Sequence, residues 1–222
     1  MRTGYLVAVG VVALCLAVPA SRAAEATHAE AQVAALLDDR PRLASALEAR
    51  PKVRQWVLTR FRETRPPLFW SADPPVSGRL AEWDGRDPER TLLRIDGKPG
   101  GIDQLAHLLF ELHNVQGYQV FDEIHEGAVR GEVTREDYAT QMLEEEFRAL
   151  LAARAFYREH VSDLSANEAR QARSYYRLLH GTDSFEEHLA ESVERGHDLR
   201  DHYRKLYDDL VVPERQNGGG RL

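Results

Sequence analysis

The stretch LAHLLFELHNVQGYQVF, residues 105–121, decides how the chain folds. Leu105, Leu108, Leu109, Leu112 and Val115 recur at three-and-four spacing, the mark of a helix. At about 100° per residue they gather on one side. His107, Glu111, Asn114, Tyr118 and His125 fall in a narrow stripe opposite, spaced four, three, four and seven. Phe110, Phe121 and Ile124 lie between the two. A helix this apolar around its circumference is buried on more than one face. The polar stripe then has two readings. One makes it a solvated face, with His107 and Glu111 as an ordinary i,i+4 pair. The other makes it the floor of a cleft, where an imidazole and a carboxylate one turn apart aim at one ion, zinc or iron.

Outward from this helix, the periodicity predicts a chain that is mostly α, in the α+β sense. It is a helical layer or bundle with a small β-hairpin or short sheet around residues 79–96. Residues 24–64 read as short helices, with Pro41 and Pro51 at helix starts. Residues 65–101 hold most of the chain's ten prolines. There RLAEW and TLLRI are strand candidates around the turn material DGRDPER. Gly100-Gly101 lacks a following Gly-Lys-Ser/Thr, so it is no phosphate loop. Residues 102–212 are helical. The first helix is expected over 103–130. Thr134 with Asp137 opens a second, to about 160. Ser165 with Glu168 opens a third, ending near Gly181. Ser184 with Glu187 opens a fourth, ending before Pro213. One helix-rich domain, 24–212, is therefore expected, with 213–222 as a flexible tail.

The N-terminus points to export. Arg2 precedes the apolar run YLVAVGVVALCLAV, residues 5–18, and Ser21-Arg22-Ala23 fits a small-x-small cut. Residues 1–23 read as a signal peptide, for a bacterial periplasm or secretion. The run is short for a membrane span. Leu14 before Cys15 argues against a lipoprotein cut. Cys15 is the chain's single cysteine, so the mature part has no disulfide and depends on packing. The net charge of −7 becomes more acidic when Arg2 and Arg22 leave. A chain so acidic, without a basic block, is a poor partner for nucleic acid or anionic membranes. The basic residues within 40–65 alternate with apolar ones and read as solvated helix faces.

The second helix carries a stripe of Tyr138, Met142, Glu145, Ala149, Ala152 and Phe156, in which Glu145 is the only charge. A carboxylate there needs a partner: an arginine such as Arg148, a histidine, or a cation. The phrase LLFELHNV resembles the active helix of zincin metallopeptidases, whose motif is His-Glu-x-x-His. Glu111 matches the general-base glutamate. Phe110 and Asn114 stand where the two histidine ligands would be. The resemblance covers about residues 91–160 and implies a strand, the active helix, and a later helix that brings a third ligand such as Glu145. With both histidines replaced, it implies a fold kept after the metal site was lost.

Two functions follow as expectations. The first is a non-catalytic module that binds a protein or peptide in a groove at Asn114, Tyr118 and His125, with no cofactor. The alternative is a metal-dependent, peptidase-like hydrolase in which His107, Glu111 and Glu145 hold zinc and Glu111 is catalytic. A di-iron bundle needs two Glu-x-x-His motifs; Glu194-x-x-His197 is one, and Asp122 with His125 is its aspartate version. His188, His197 and His202 stand among charges and read as an exposed face. The sequence contains no Gly-x-Ser-x-Gly elbow.

Overall fold

Pro41 and Pro51 take the first positions of α2 (Pro41–Glu48) and α3 (Pro51–Glu63), where a missing N–H costs nothing. With α1 (Ala20–Asp39) they form a three-helix layer that buries Val33, Leu36, Leu43, Leu47, Val57 and Phe61. The computed structural model describes residues 20–75, 81–87 and 89–218. Most of the expected signal peptide, Cys15 included, lies outside the described residues, as do residues 219–222. The expected cut after Ala23 falls in the first turn of α1.

The expected hairpin is present. Strand β2 (Ala81–Asp87) runs antiparallel to β3 (Arg90–Ile95), with Ala81 opposite Ile95 and Asp84 opposite Leu92, and a register shift before Asp87 pairs with Arg90. A third strand, β1 (Leu68–Trp70), lies parallel to β3, so the sheet order is β1-β3-β2. Its three residues are too few to display an alternation, and the sequence gives no sign of it. Along β3, Thr91, Leu93 and Ile95 turn into the core, as period-two patterning requires.

Helix α4 (Gly101–Gln116) follows the sheet and runs through the centre of the molecule. A methyl on Gly101 would lie 2.2 Å from the Arg42 carbonyl oxygen. Gly101 therefore allows α2 and α4 to approach closely. The predicted helix over 103–130 is broken: the Gly117 N–H turns back to the Asn114 carbonyl, and α5 (Tyr118–Arg130) leaves in a new direction. Helix α6 (Arg135–His160) opens at Thr134, whose hydroxyl accepts from the Asp137 N–H.

The expected third helix is two short ones, α7 (Ala166–Gln171) and α8 (Arg173–Leu179), behind a complete Ser165–Glu168 capping box. The expected fourth is also broken. It comprises α9 (Phe185–Glu194), capped by Ser184, α10 (Arg200–Leu206), a π-helical turn (Tyr207–Val211) and α11 (Val212–Gln216). Pro213 does not end the fold. It sits in the first turn of α11, where it is tolerated. Arg215 then donates to the carbonyls of Ala128 and Val133.

The protein is thus mostly helical with a small three-stranded sheet. Among the described residues there are two apolar clusters. The larger joins α1–α4, the sheet, α8 and the later half of α6. The smaller joins α5, the earlier half of α6, α10 and the π turn. Among the described residues no helix is long and apolar enough to cross a membrane. One basic residue of the 40–65 stretch departs from the solvated-face expectation. Arg50 is buried and grips Glu168 through two hydrogen bonds of 2.8 and 3.2 Å, while also donating to the Ala46 and Asp163 carbonyls.

Candidate functional site

The polar stripe of α4 is not a solvated face. Glu111 is 7 % exposed and Asn114 4 %, and His107 is half-buried. His107, Phe110 and Glu111 form one wall of a cleft of about 310 Å³. Ala81 at the start of β2 marks one rim, and Leu143 and Glu146 come from α6. The opposite wall is the stretch that enters α10: His197, Leu199, His202 and Tyr203. The Tyr203 hydroxyl donates to a Glu146 carboxylate oxygen at 2.7 Å, which ties α10 to α6 across the cleft.

His107 is the most constrained group here. Burial pushes its pKa below the ordinary histidine value, and the Asp103 carboxylate one turn earlier opposes that shift. Asp103 is itself buried and fixed, accepting from the Tyr175 N–H at 2.9 Å. The Nε2 of His107 is buried and has no hydrogen-bond partner among the described residues. A neutral imidazole therefore lines a cleft that two carboxylates also line.

The remaining predicted residues lie elsewhere. Glu145 is buried, as its stripe predicts, but it is not in the cleft. Its carboxylate receives Arg148 one turn on and lies beneath the break between α4 and α5. A methyl on Gly117 would stand 2.7 Å from its Oε1. The carboxylate that joins His107 and Glu111 comes from the next residue, Glu146. The expected set of His107, Glu111 and Glu145 is therefore not brought together. Tyr118 packs edge-on against Trp83 at 6.1 Å. His125 approaches the Tyr138 hydroxyl at 3.5 Å and Glu214 at 3.5 Å. Tyr118 and His125 stand on α5, beyond the break at Gly117, while Asn114 is buried on α4. His113 is on another side of α4, against Trp56 at 4.9 Å and Phe156 at 6.0 Å. Burial lowers its pKa to about 4.

The donors of a zincin-type zinc site do not fit here. Phe110 offers no lone pair. The Asn114 amide is a poor substitute for a neutral imidazole, and among the described residues no three His, Cys, Asp or Glu side chains already surround one point. No known protein family, curated protein or solved structure matches the chain. Its chemistry is therefore read from the cleft alone.

Sequence reasoning missed Glu146, His197, His202 and Tyr203. Glu146 is one residue, about 100°, round from the apolar stripe, and a wheel gives no sign that α10 covers that side. His197 and His202 follow Gly196, in a charged stretch that reads as surface. The only available signal was their spacing of five around the start of a helix, which is weak.

Proposed function

We propose that the chain is a binding module whose cleft between α4 and α10 receives a segment of another protein or a peptide and does not cleave it. The observation that carries this reading is the composition of the cleft wall. Glu111 stands in the cleft, but its flanking positions hold Phe110 and Asn114, so no metal-activated water is assembled there by the zincin pattern. Phe110, Leu143, Leu178 and Leu199 instead give an apolar lining with a few convergent polar groups, the usual make-up of a binding site. In the sheet order β1-β3-β2, strand β2 pairs on one side only among the described residues. Its first residue is at the cleft rim. An extended segment added beside β2 would gain main-chain hydrogen bonds and send alternate side chains over Phe110 and Glu111.

The test is selection from a displayed random-peptide library with the untagged chain in the presence of chelator. Glu111→Gln, which keeps the side-chain volume, is expected to retain the fold by circular dichroism and to weaken selected peptides by about tenfold, the scale of one charged hydrogen bond. Equal binding by the variant would overturn the reading. So would hydrolysis of the same peptides by the parent chain that the variant loses. Export is part of the same proposal. The mature chain is expected to begin at Ala24 on N-terminal sequencing, and an intact Met1 in cell fractions would count against it.

A further inference from the structure

Most polar and concave features of the molecule are explained by packing. The groove of about 460 Å³ between α1 and α3 has an apolar floor at Val33, Leu37 and Leu58, and Glu30 and Arg54 at its edge are of opposite sign, so its charge favours no class of partner. Arg154 is spent on the Leu178 and Thr182 carbonyls and Asp183. The ring stack of Trp56, His113, Phe156 and His160 fills the seam between α3, α4 and α6. Carboxylates beside an arginine are explained as well. Glu132, Glu136, Glu168, Asp198 and Asp208 each have their pKa pushed down by one. Asp122 on α5 is pushed the other way, by partial burial first and then by the Glu126 and Glu123 carboxylates, with His125 opposing.

We infer that the segment received beside β2 is basic, with lysine or arginine side chains that meet Asp122, Glu123 and Glu126 on α5. This rests on the peptide reading and names the chemistry of the partner. The strand and the acidic stretch are neighbours. Trp83 on β2 packs against Tyr118 at 6.1 Å and Phe121 at 5.7 Å, which sets the first turns of α5 beside the strand. Tyr118, Asp122 and Glu126 follow one another at four-residue spacing, on one side of α5. Burial first, and then the Asp122 carboxylate, raise the Tyr118 pKa, so the negative charge begins close to the ring that touches Trp83. Asp122, Glu123 and Glu126 are all exposed. The helix dipole does not account for them, because the first turn of α5 carries no acidic residue. Local neutralisation is slight. Arg130 lies 3.4 Å from Glu126 and is shared with Glu132 at 2.9 Å. Among the described residues β2 pairs on one side only, so its other edge offers backbone donors and acceptors to an extended segment. A strand laid there takes its backbone bonds from β2 and its charge preference from α5. Basic side chains complement the carboxylates, and an acidic segment is repelled. The chain's excess of acid, 36 Asp and Glu against 29 Lys and Arg, steers the same partner.

The test sequences the peptides that the untagged chain retains from the random library and titrates one of them, synthesised with a fluorophore, by anisotropy. Lysine and arginine are expected to be enriched over the unselected library. Binding should weaken as salt is raised from about 50 to about 300 mM, because exposed charges are screened. Asp122→Asn, Glu123→Gln and Glu126→Gln combined alter only exposed side chains. That variant is expected to keep its fold by circular dichroism and to lose about tenfold in affinity. Asp122→Asn alone should weaken binding in the same direction, which keeps the test open if the triple variant folds poorly. Glu48→Gln, Glu159→Gln and Glu194→Gln combined make the same change in net charge on α2, α6 and α9, and should cost less than about twofold. Retained peptides without basic enrichment, or equal losses in the two triple variants, would refute a basic partner and leave the binding module standing. Retention of no peptide at all would remove both.

Discussion

Along α6, the half after Glu146 lies against α4 and α8, and the half before it lies against α5, α10 and the π turn. The later half is held by burial. Ala153 and Tyr157 are fully buried, the Tyr157 hydroxyl donates to the Ala106 carbonyl, and Arg154 at 2 % exposure binds the α8–α9 turn. The earlier half adds a lattice of surface charge to a smaller apolar cluster. Arg204 meets Glu136 and Asp198 at 2.7 and 2.9 Å, and Arg135 meets Asp208 at 2.6 Å. Arg135–Asp208 is exposed on both sides and Arg204 is half-buried; exposed pairs are screened and contribute little. The cleft opens where the two regimes meet, and its outer wall belongs to the weaker one. A site that must admit a partner is well served by one firm wall and one that yields.

The contrast can be broken or sharpened by substitution. The largest effect is expected at the firm wall. Leu109→Ala, at a fully buried position, should cost about 2–5 kcal/mol in denaturant unfolding. Leu206→Ala, half-buried on α10, should cost clearly less. Equal losses would mean that the two halves are not held differently. Next comes Arg154→Met. It strands the Leu178 and Thr182 carbonyls, each at about 1–3 kcal/mol when left without a donor, while its ion-pair partner Asp183 stays in water. The melting temperature should fall by several degrees.

Acid should act on the firm half third. His113 has a folded pKa of about 4 against about 6.5 when unfolded. Above 6.5 both states are neutral and stability does not respond to pH. Between 6.5 and about 4 the unfolded chain takes a proton that the folded one refuses, so stability drops as pH drops. By pH 4 the loss is about 2–3 kcal/mol. His113→Phe should flatten that window in pH-dependent melts. Glu168, whose carboxyl Arg50 holds down at about 2, acts in the same direction at lower pH. Its contribution is present above its ordinary range and disappears as pH falls toward 2. The smallest effect is expected from Arg204→Ala. It should be measurable at low ionic strength and vanish in high salt, and a salt-independent loss would show that the lattice is more than a surface feature.

Much of this was legible in the sequence. The aliphatic positions of α4 all turned inward, because a helix apolar around most of its circumference has nowhere else to go. The caps at Thr134, Ser165 and Ser184 were readable because capping is local chemistry. The hairpin was readable from alternation and turn residues. What failed depended on single breaks or on distant neighbours. Gly117 split one predicted helix, and that one break removed Tyr118 and His125 from the stripe. Glu145 and Glu146 are indistinguishable as residue types, and their roles separate only when Arg148 reaches back to one and Tyr203 reaches over to the other. Arg50 looked like surface because its partner, Glu168, is 118 residues away.

A π turn joins α10 to α11. It holds one more residue than an α turn would, so everything after it is rotated by roughly 100° about the axis. That offset aims Arg215 at the carbonyls ending α5 and brings its guanidinium 5.4 Å over the ring of Tyr207. Deleting one residue among 208–210 would restore ordinary winding and swing the arginine by roughly 100° away from those carbonyls. The last helix would then lose its clasp, though every side chain in that clasp would still be present.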